Sequence, residues 1–376
     1  MIKILYYCDK DRGFGEERMK RQSNAMWIFV FTVVLTVWGQ GCSGGTGERA
    51  AEEMSEPLIP KQILQSREGI PEYTLNAARS ITVDGKGAVY IFDYDGYKIH
   101  KYDPQGEFLL EFGGTGEGPG EFTHLTAIRA EGDRILALDS VGLLFFSIDG
   151  RFLEKIEFPA EVTPDLPIVF KDGNSVGRLI VADELKMVLS FRTPQGEERD
   201  RLASYDIREF FPEIKPGDDF FLSNMHARSY RYDFDGQGDI LWSATDDFTV
   251  YRYHDGVSRP LITAGYSPLL FPEDQRRGML EMKSRIEPPL YAYVPDYYQM
   301  IHHLAVGPDG DLWIYLASRE RTGFLRFSEQ GKLKGFHPVE AEFDMMEAVV
   351  KIFDNRIYFL APQRGAFQLY TAELPG

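Results

Sequence analysis

Three histidines stand where metal chemistry would be done. His124, His226 and His302 each precede or open a short apolar segment, and His303 follows directly on the last. Neutral imidazole is a good ligand for zinc, and three rings would have to bring a nitrogen within about 2.1 Å of one ion. An ion held that way, with a position left open, polarises a carbonyl or activates water. The metal candidates are therefore His124, His226 and His302. Their offsets differ, however. His124 stands two residues, and His226 four residues, ahead of the position that His302 takes in its own segment.

A second set is polar and recurs along the chain: Asp93 and Asp95, Asp139 and Ser140, Asp183 and Glu184, Asp246 and Asp247, Arg319 and Arg321, Gln363 and Arg364. Brought into a ring, the acids would take hydroxyl-rich or cationic ligands; left apart, they are short solvated loops. From this set and its surroundings Arg79, Asp93, Asp139 and Arg319 are candidate ligand-binding residues. Tyr297 and Tyr298, in YAYVPDYYQM, join them, since clustered tyrosines stack on sugar rings, grip a peptide or simply pack. Two further stretches look chemical. EFGGTGEGPGEF (111–122) has the glycine content of a phosphate cradle, but it lacks the Lys-Ser/Thr of a P-loop and opens no helix. DFDGQGD (233–239) starts like a calcium loop but lacks the closing glutamate.

The elements that must position these residues are repeated. Arg79 to Phe112 divides into four apolar segments, Ser80–Val83, Ala88–Phe92, Lys98–Tyr102 and Glu107–Phe112, separated by Asp/Gly/Pro turn sequences. That is a four-stranded antiparallel meander. Val89-Tyr90-Ile91-Phe92 is apolar on both faces and must be covered on both sides. The pattern returns at 126–158, 167–202, 229–262 and 302–336, and at 347–374 it stops after three strands. Leu58 to Ser66 is the expected fourth strand, closing a ring from the other end of the chain. Six such units make an all-β fold, a six-bladed β-propeller of four-stranded antiparallel blades. On this plan the glycine run is an interblade crossover and DFDGQGD a first turn. Two crossovers are long, Ala203 to Arg228 and Ala264 to Ile301. The second carries a short helical insertion at Pro272 to Ile286, with proline and acids at its start and Pro288-Pro289 beyond it.

ITVDGKGAVYIFDYDGYKIHKYDPQGEFLLEFGGTGEGPGEF resembles an NHL repeat, and the chain as a whole resembles the bacterial six-bladed β-propeller lipoproteins. The resemblance is best over 79–158. It implies binding sites over the central channel, on the face that gathers the crossovers and the loops between second and third strands. NHL-like amidating lyases hold a metal with channel histidines, which is what gives His124, His226 and His302 their interest. Fold alone does not fix function, since propellers host lyases, lactonases, sensors and scaffolds.

The N-terminal part reads separately. Met19-Lys20-Arg21 precedes an apolar run, Met26 to Trp38, which at about 13 residues is short of the roughly 20 a membrane helix needs. It suits the h-region of a secretory signal. Gly41-Cys42-Ser43 follows, and the stretch resembles a bacterial lipoprotein signal, cut before the cysteine that then carries lipid. Residues 1–41 are thus expected to be a signal peptide, with Met19 an alternative start. Cys42 is the lipidation site, 42–57 a flexible tether, and 58–376 the propeller. Removing 1–41 takes away six Lys/Arg and four Asp/Glu and moves the net charge from −17 to −19. So acidic a surface repels phosphates, and no nucleic-acid partner is expected. With one cysteine left, no disulfide forms.

The sequence reading is a lipid-anchored module on the extracytoplasmic side of a bacterial envelope, binding an envelope protein, peptide or glycan, with no cofactor expected. The alternatives are a lyase or lactonase using a divalent metal at the channel and a carbohydrate-binding accessory protein.

Overall fold

The computed structural model describes residues 55–375, apart from 66–69, 71–72, 74, 140–141, 158–164, 170–173, 182, 194–196, 216–220, 224–227, 236, 286–289 and 364–365. Cys42 and the signal, and also His226, Ser140 and Arg364, lie outside the described residues.

Strands form where apolar and β-branched residues run between Asp/Gly turns. In blade 1 they are Ala78–Val83, Val89–Asp93, Lys98–Tyr102 and Phe108–Phe112, hydrogen-bonded in sequence order. The aspartate that opens each turn organises it. Asp84 Oδ1 accepts from the amides of Lys86 and Ala88, and Asp103 Oδ1 from those of Gln105 and Glu107. DFDGQGD is the same device in blade 4, where Asp235 Oδ1 accepts from the Gln237 and Asp239 amides, each at 2.9 Å.

Blade 2 starts on Leu125–Glu131, blade 3 on Asp165–Val169, blade 4 on Tyr230–Phe234, blade 5 on Ile301–Val306 and blade 6 on Val349–Phe353. Each pairs outward through three more strands. Blade 6 supplies only Arg356–Gln363 and Ala366–Glu373 beyond its first strand, and Lys61–Gln65 completes it, antiparallel to Ala366–Glu373. The chain is a six-bladed β-propeller, as its repeats require. Already at Ser55 it is bonded to blade 5, through its amide to the Phe336 carbonyl, and Leu58 is buried.

The core lies between blades. Val89 to Phe92 are completely buried, with Tyr90 and Phe92 meeting blade 2 while Val89 and Ile91 meet blade 6. The six first strands are the inner edges of their sheets, and edge amides need partners. Side chains of the preceding blade supply some of them. Ser80 Oγ accepts from the Ile128 amide, Thr82 Oγ1 from the Ala130 amide and Asp233 Oδ2 from the Val306 amide.

The glycine run turns the chain from blade 1 to blade 2. Gly113 has φ +84°, and a Cβ there would land on the Phe122 ring. The run's amides are consumed locally, Gly116 donating to the Phe122 carbonyl and Gly118 to Glu121 Oε2.

The long crossovers are joined. Phe221–Ser223 of the first pairs parallel with Leu290–Ala292 of the second. Tyr293 sets its ring against Phe210 and Phe211, at 5.0 and 6.3 Å between centroids. The helix α1 spans Glu273–Lys283, shorter at its C-terminal end than the sequence suggests.

Candidate functional site

The loops between second and third strands gather on one face with the insertions. Arg228, at the end of the first insertion, pairs with Asp246 of blade 4 at 2.6 Å. The second insertion rests on blade 5. There the Arg319 amide donates to the Ser267 carbonyl at 2.9 Å and Arg319 Nε to the Pro268 carbonyl at 3.1 Å. Arg319 thus anchors the insertion. Tyr298 packs on Phe271 at 4.6 Å, its hydroxyl 3.3 Å from Gln275 Oε1. Tyr297 is 45% exposed.

Asp93 and Asp139 occupy equivalent positions, and both are buried. Asp93 accepts from the amides of Asn76, Ala77 and Asp95. Asp139 accepts from the Thr123 amide and hydroxyl and from the His124 amide. Each carboxylate fastens the end of its second strand to the chain entering the first strand. Thr245 does the same in blade 4, accepting from the Ser229 amide. Short polar loops conceal this role in the sequence, because the amides being bound lie about sixteen residues upstream.

Arg79 lies over the Tyr94 ring at 4.5 Å, and the same ring meets His124 edge-on at 6.1 Å. Arg79, Asp93, Tyr94 and His124 are thereby drawn to the mouth between blades 1 and 2. His302 is elsewhere. It belongs to blade 5, opposite blade 2 in a ring of six, and its ring meets Tyr315 edge-on at 6.1 Å. Among the described residues no three His, Cys, Asp or Glu side chains are grouped to hold a metal ion. His226, the third histidine of that set, lies outside the described residues.

The central channel holds a different constellation. A cavity of about 120 Å³ is lined by Arg129 of blade 2, Asp233 of blade 4, His303 of blade 5 and Lys351 of blade 6, all from first strands. Burial, then the Arg231 guanidinium, then His302 push the His303 imidazole down to about 3, so it is neutral at physiological pH. Burial and the nearby Arg129 push the Lys351 ammonium below its usual range, while Asp233 pulls it up. A larger cavity of about 400 Å³, at the edge of blade 5, is lined by Ser55, Arg326, Lys334 and His337. Its cations are already matched. Arg326 pairs with Asp309 and Asp311, and Lys334 with Asp311, at 2.5 to 2.6 Å.

A family model described as a 6-bladed beta-propeller, DUF5128, matches residues 76–172. No curated protein matches the sequence. Among solved structures, a protein of Bacteroides fragilis described as exported is 13% identical, with a TM-score of 0.51, over 85% of this chain and 95% of its own. A gluconolactonase of Xanthomonas campestris is 13% identical, with a TM-score of 0.45, over 85% and 98%. Virginiamycin B lyase of Staphylococcus aureus is 11% identical, with a TM-score of 0.43, over 84% and 99%. The likeness is one of fold.

Arg129 and Lys351 escape sequence reasoning, and Asp233 enters it only as the first residue of DFDGQGD. Each sits mid-strand as one polar residue among apolar ones, a pattern common to many exposed strand positions. Only their shared place in first strands could have singled them out.

Proposed function

We propose that this protein is a lipid-anchored binding module of the bacterial cell envelope, built on NHL-type repeats, whose contact surface is the face carrying the two insertions. Residues 1–41 direct export, Cys42 carries the lipid, and the partner is an envelope protein or peptide. One observation carries the reading. Of the eleven large hydrophobic side chains exposed among the described residues, four belong to the second insertion: Leu270, Leu280, Met282 and Tyr297, each between 42% and 55% exposed. Helix α1 buries none of its residues. It is held instead by polar contacts, such as Arg276 to Asp296 at 2.8 Å. Apolar groups concentrated on an ordered element but left uncovered mark interaction sites. Tyrosine and methionine are enriched in such interfaces.

The test is site-specific photo-crosslinking in the native host, with the probe at position 280 or 297 and a control at Leu153, an exposed apolar residue of blade 2. A discrete adduct from the insertion and none from the control is expected. Equal labelling at both places, or none at either, defeats the reading. The anchor is tested independently. Cys42→Ser should move the protein from the membrane to the soluble fraction, and a variant that stays membrane-bound would refute lipidation at Cys42. Among the described residues no helix is long and apolar enough to cross a membrane.

A further inference from the structure

We propose that the central channel binds a small oxyanion between Arg129 and Lys351. Both side chains line the same cavity of about 120 Å³, one from blade 2 and one from blade 6. Neither makes a hydrogen bond or an ion pair with another described residue; Arg129 only lies over the Phe234 ring, at 5.4 Å. The carboxylate that lines this cavity, on Asp233, accepts at Oδ2 from the Val306 amide at 3.0 Å. Two cations thus face one partly engaged anion, and neutral His303 adds no charge.

The excess is not inherited from composition. The chain carries 41 Lys/Arg against 58 Asp/Glu. The six first strands carry four Lys/Arg (Arg79, Arg129, Arg231, Lys351) against three acids (Glu131, Asp165, Asp233). Like charges brought together in a half-buried channel are costly unless something of opposite sign joins them. Burial first, and then Arg129, holds the Lys351 ammonium below its usual range. An entering oxyanion relieves that cost by meeting the planar donor fork of arginine and the point charge of lysine.

Size sets the ligand class. A cavity of about 120 Å³ suits phosphate, sulfate or the carboxylate of a small organic acid. Phosphate-type and carboxylate ligands share the chemistry, and the measurement separates them.

Thermal unfolding of the detergent-solubilised full chain is followed in potassium phosphate, sulfate or acetate, each against potassium chloride of equal ionic strength. A saturable rise of several degrees is expected with at least one oxyanion. Phosphate or sulfate acting alone identifies a tetrahedral ligand, and acetate acting best identifies a carboxylate. Lys351→Met and Arg129→Gln should each weaken the apparent affinity tenfold or more, while Lys351→Arg retains it. If Arg129→Gln does not fold, the Lys351 pair still decides. Sulfate and phosphate also stabilise proteins generally, by exclusion from their surfaces. A rise of the same size in Lys351→Met is therefore salting-out and overturns the proposal, as does no saturable rise in any of the three salts.

Discussion

Removing residues 58–65 leaves the ring unable to close, and the variant is expected to lose its cooperative unfolding transition and run as oligomers or aggregate on size exclusion. The strand Lys61–Gln65 is the outer edge of blade 6, paired with Ala366–Glu373 through Lys61–Thr371, Gln62–Tyr370, Leu64–Leu369 and Gln65–Gln368. Without it, Ala366–Glu373 becomes an open edge in its place, a template for pairing with other chains. Leu64 packs among Leu75, Tyr102, Leu360 and Leu369, so the closing strand also joins blade 6 to blade 1. Gly106 of blade 1 approaches so closely that a Cβ would strike the Ile63 carbonyl. A milder version isolates the packing contribution. Leu64 is 3% exposed, and Leu64→Asp would bury an unpaired carboxylate where about 3 kcal/mol or more of packing is lost. A domain of this size then melts about 5 °C lower. A monomeric deletion variant with wild-type melting would show that closure is not what holds the ring.

The second large effect is on pH. His303 has its imidazole pushed down to about 3, first by burial, then by Arg231 and His302, against an ordinary value near 6.5 in the unfolded chain. Between those two values the unfolded state binds a proton that the folded state refuses, so stability rises with pH and falls as the solution is acidified. The slope approaches about 1.4 kcal/mol per pH unit. Relative to His303→Gln, which has no such proton to refuse, the wild type should lose about 3 kcal/mol between pH 6.5 and pH 4. Urea unfolding of both proteins across that range measures the difference. Parallel stability curves would mean that His303 takes up its proton in the folded state as readily as in the unfolded one.

The two effects differ in how far the sequence announces them. The closing strand was legible because blade 6 runs out of strands at the C-terminus, while Leu58 to Ser66 has strand character and no blade of its own. Ala78–Val83 and its three partners match the segments read from apolar runs and Asp/Gly turns to within two residues. His303 was passed over in favour of His302, since neither periodicity nor spacing separates two adjacent histidines in one strand. The register of this strand shifts between Ile301 and His303, so alternation alone does not place either ring, and only the closed ring brings His303 to the channel cavity. Asp93 and Asp139 were recognised as a recurring pair, but their carboxylates are occupied with backbone amides on the far side of a turn.

What the sequence determined by itself is local in origin. Strand length, turn chemistry, the number of blades and the covering of both sheet faces all follow from patterns within about forty residues. The tertiary structure alone decided which polar residues meet. Arg129, Asp233, His303 and Lys351 come from four blades and share one cavity only because the ring closes. The two insertions are stitched together by a parallel ladder between Phe221–Ser223 and Leu290–Ala292 that no local pattern encodes. Charge convergence depends on distance through space, which the chain sets only when its last strand meets its first.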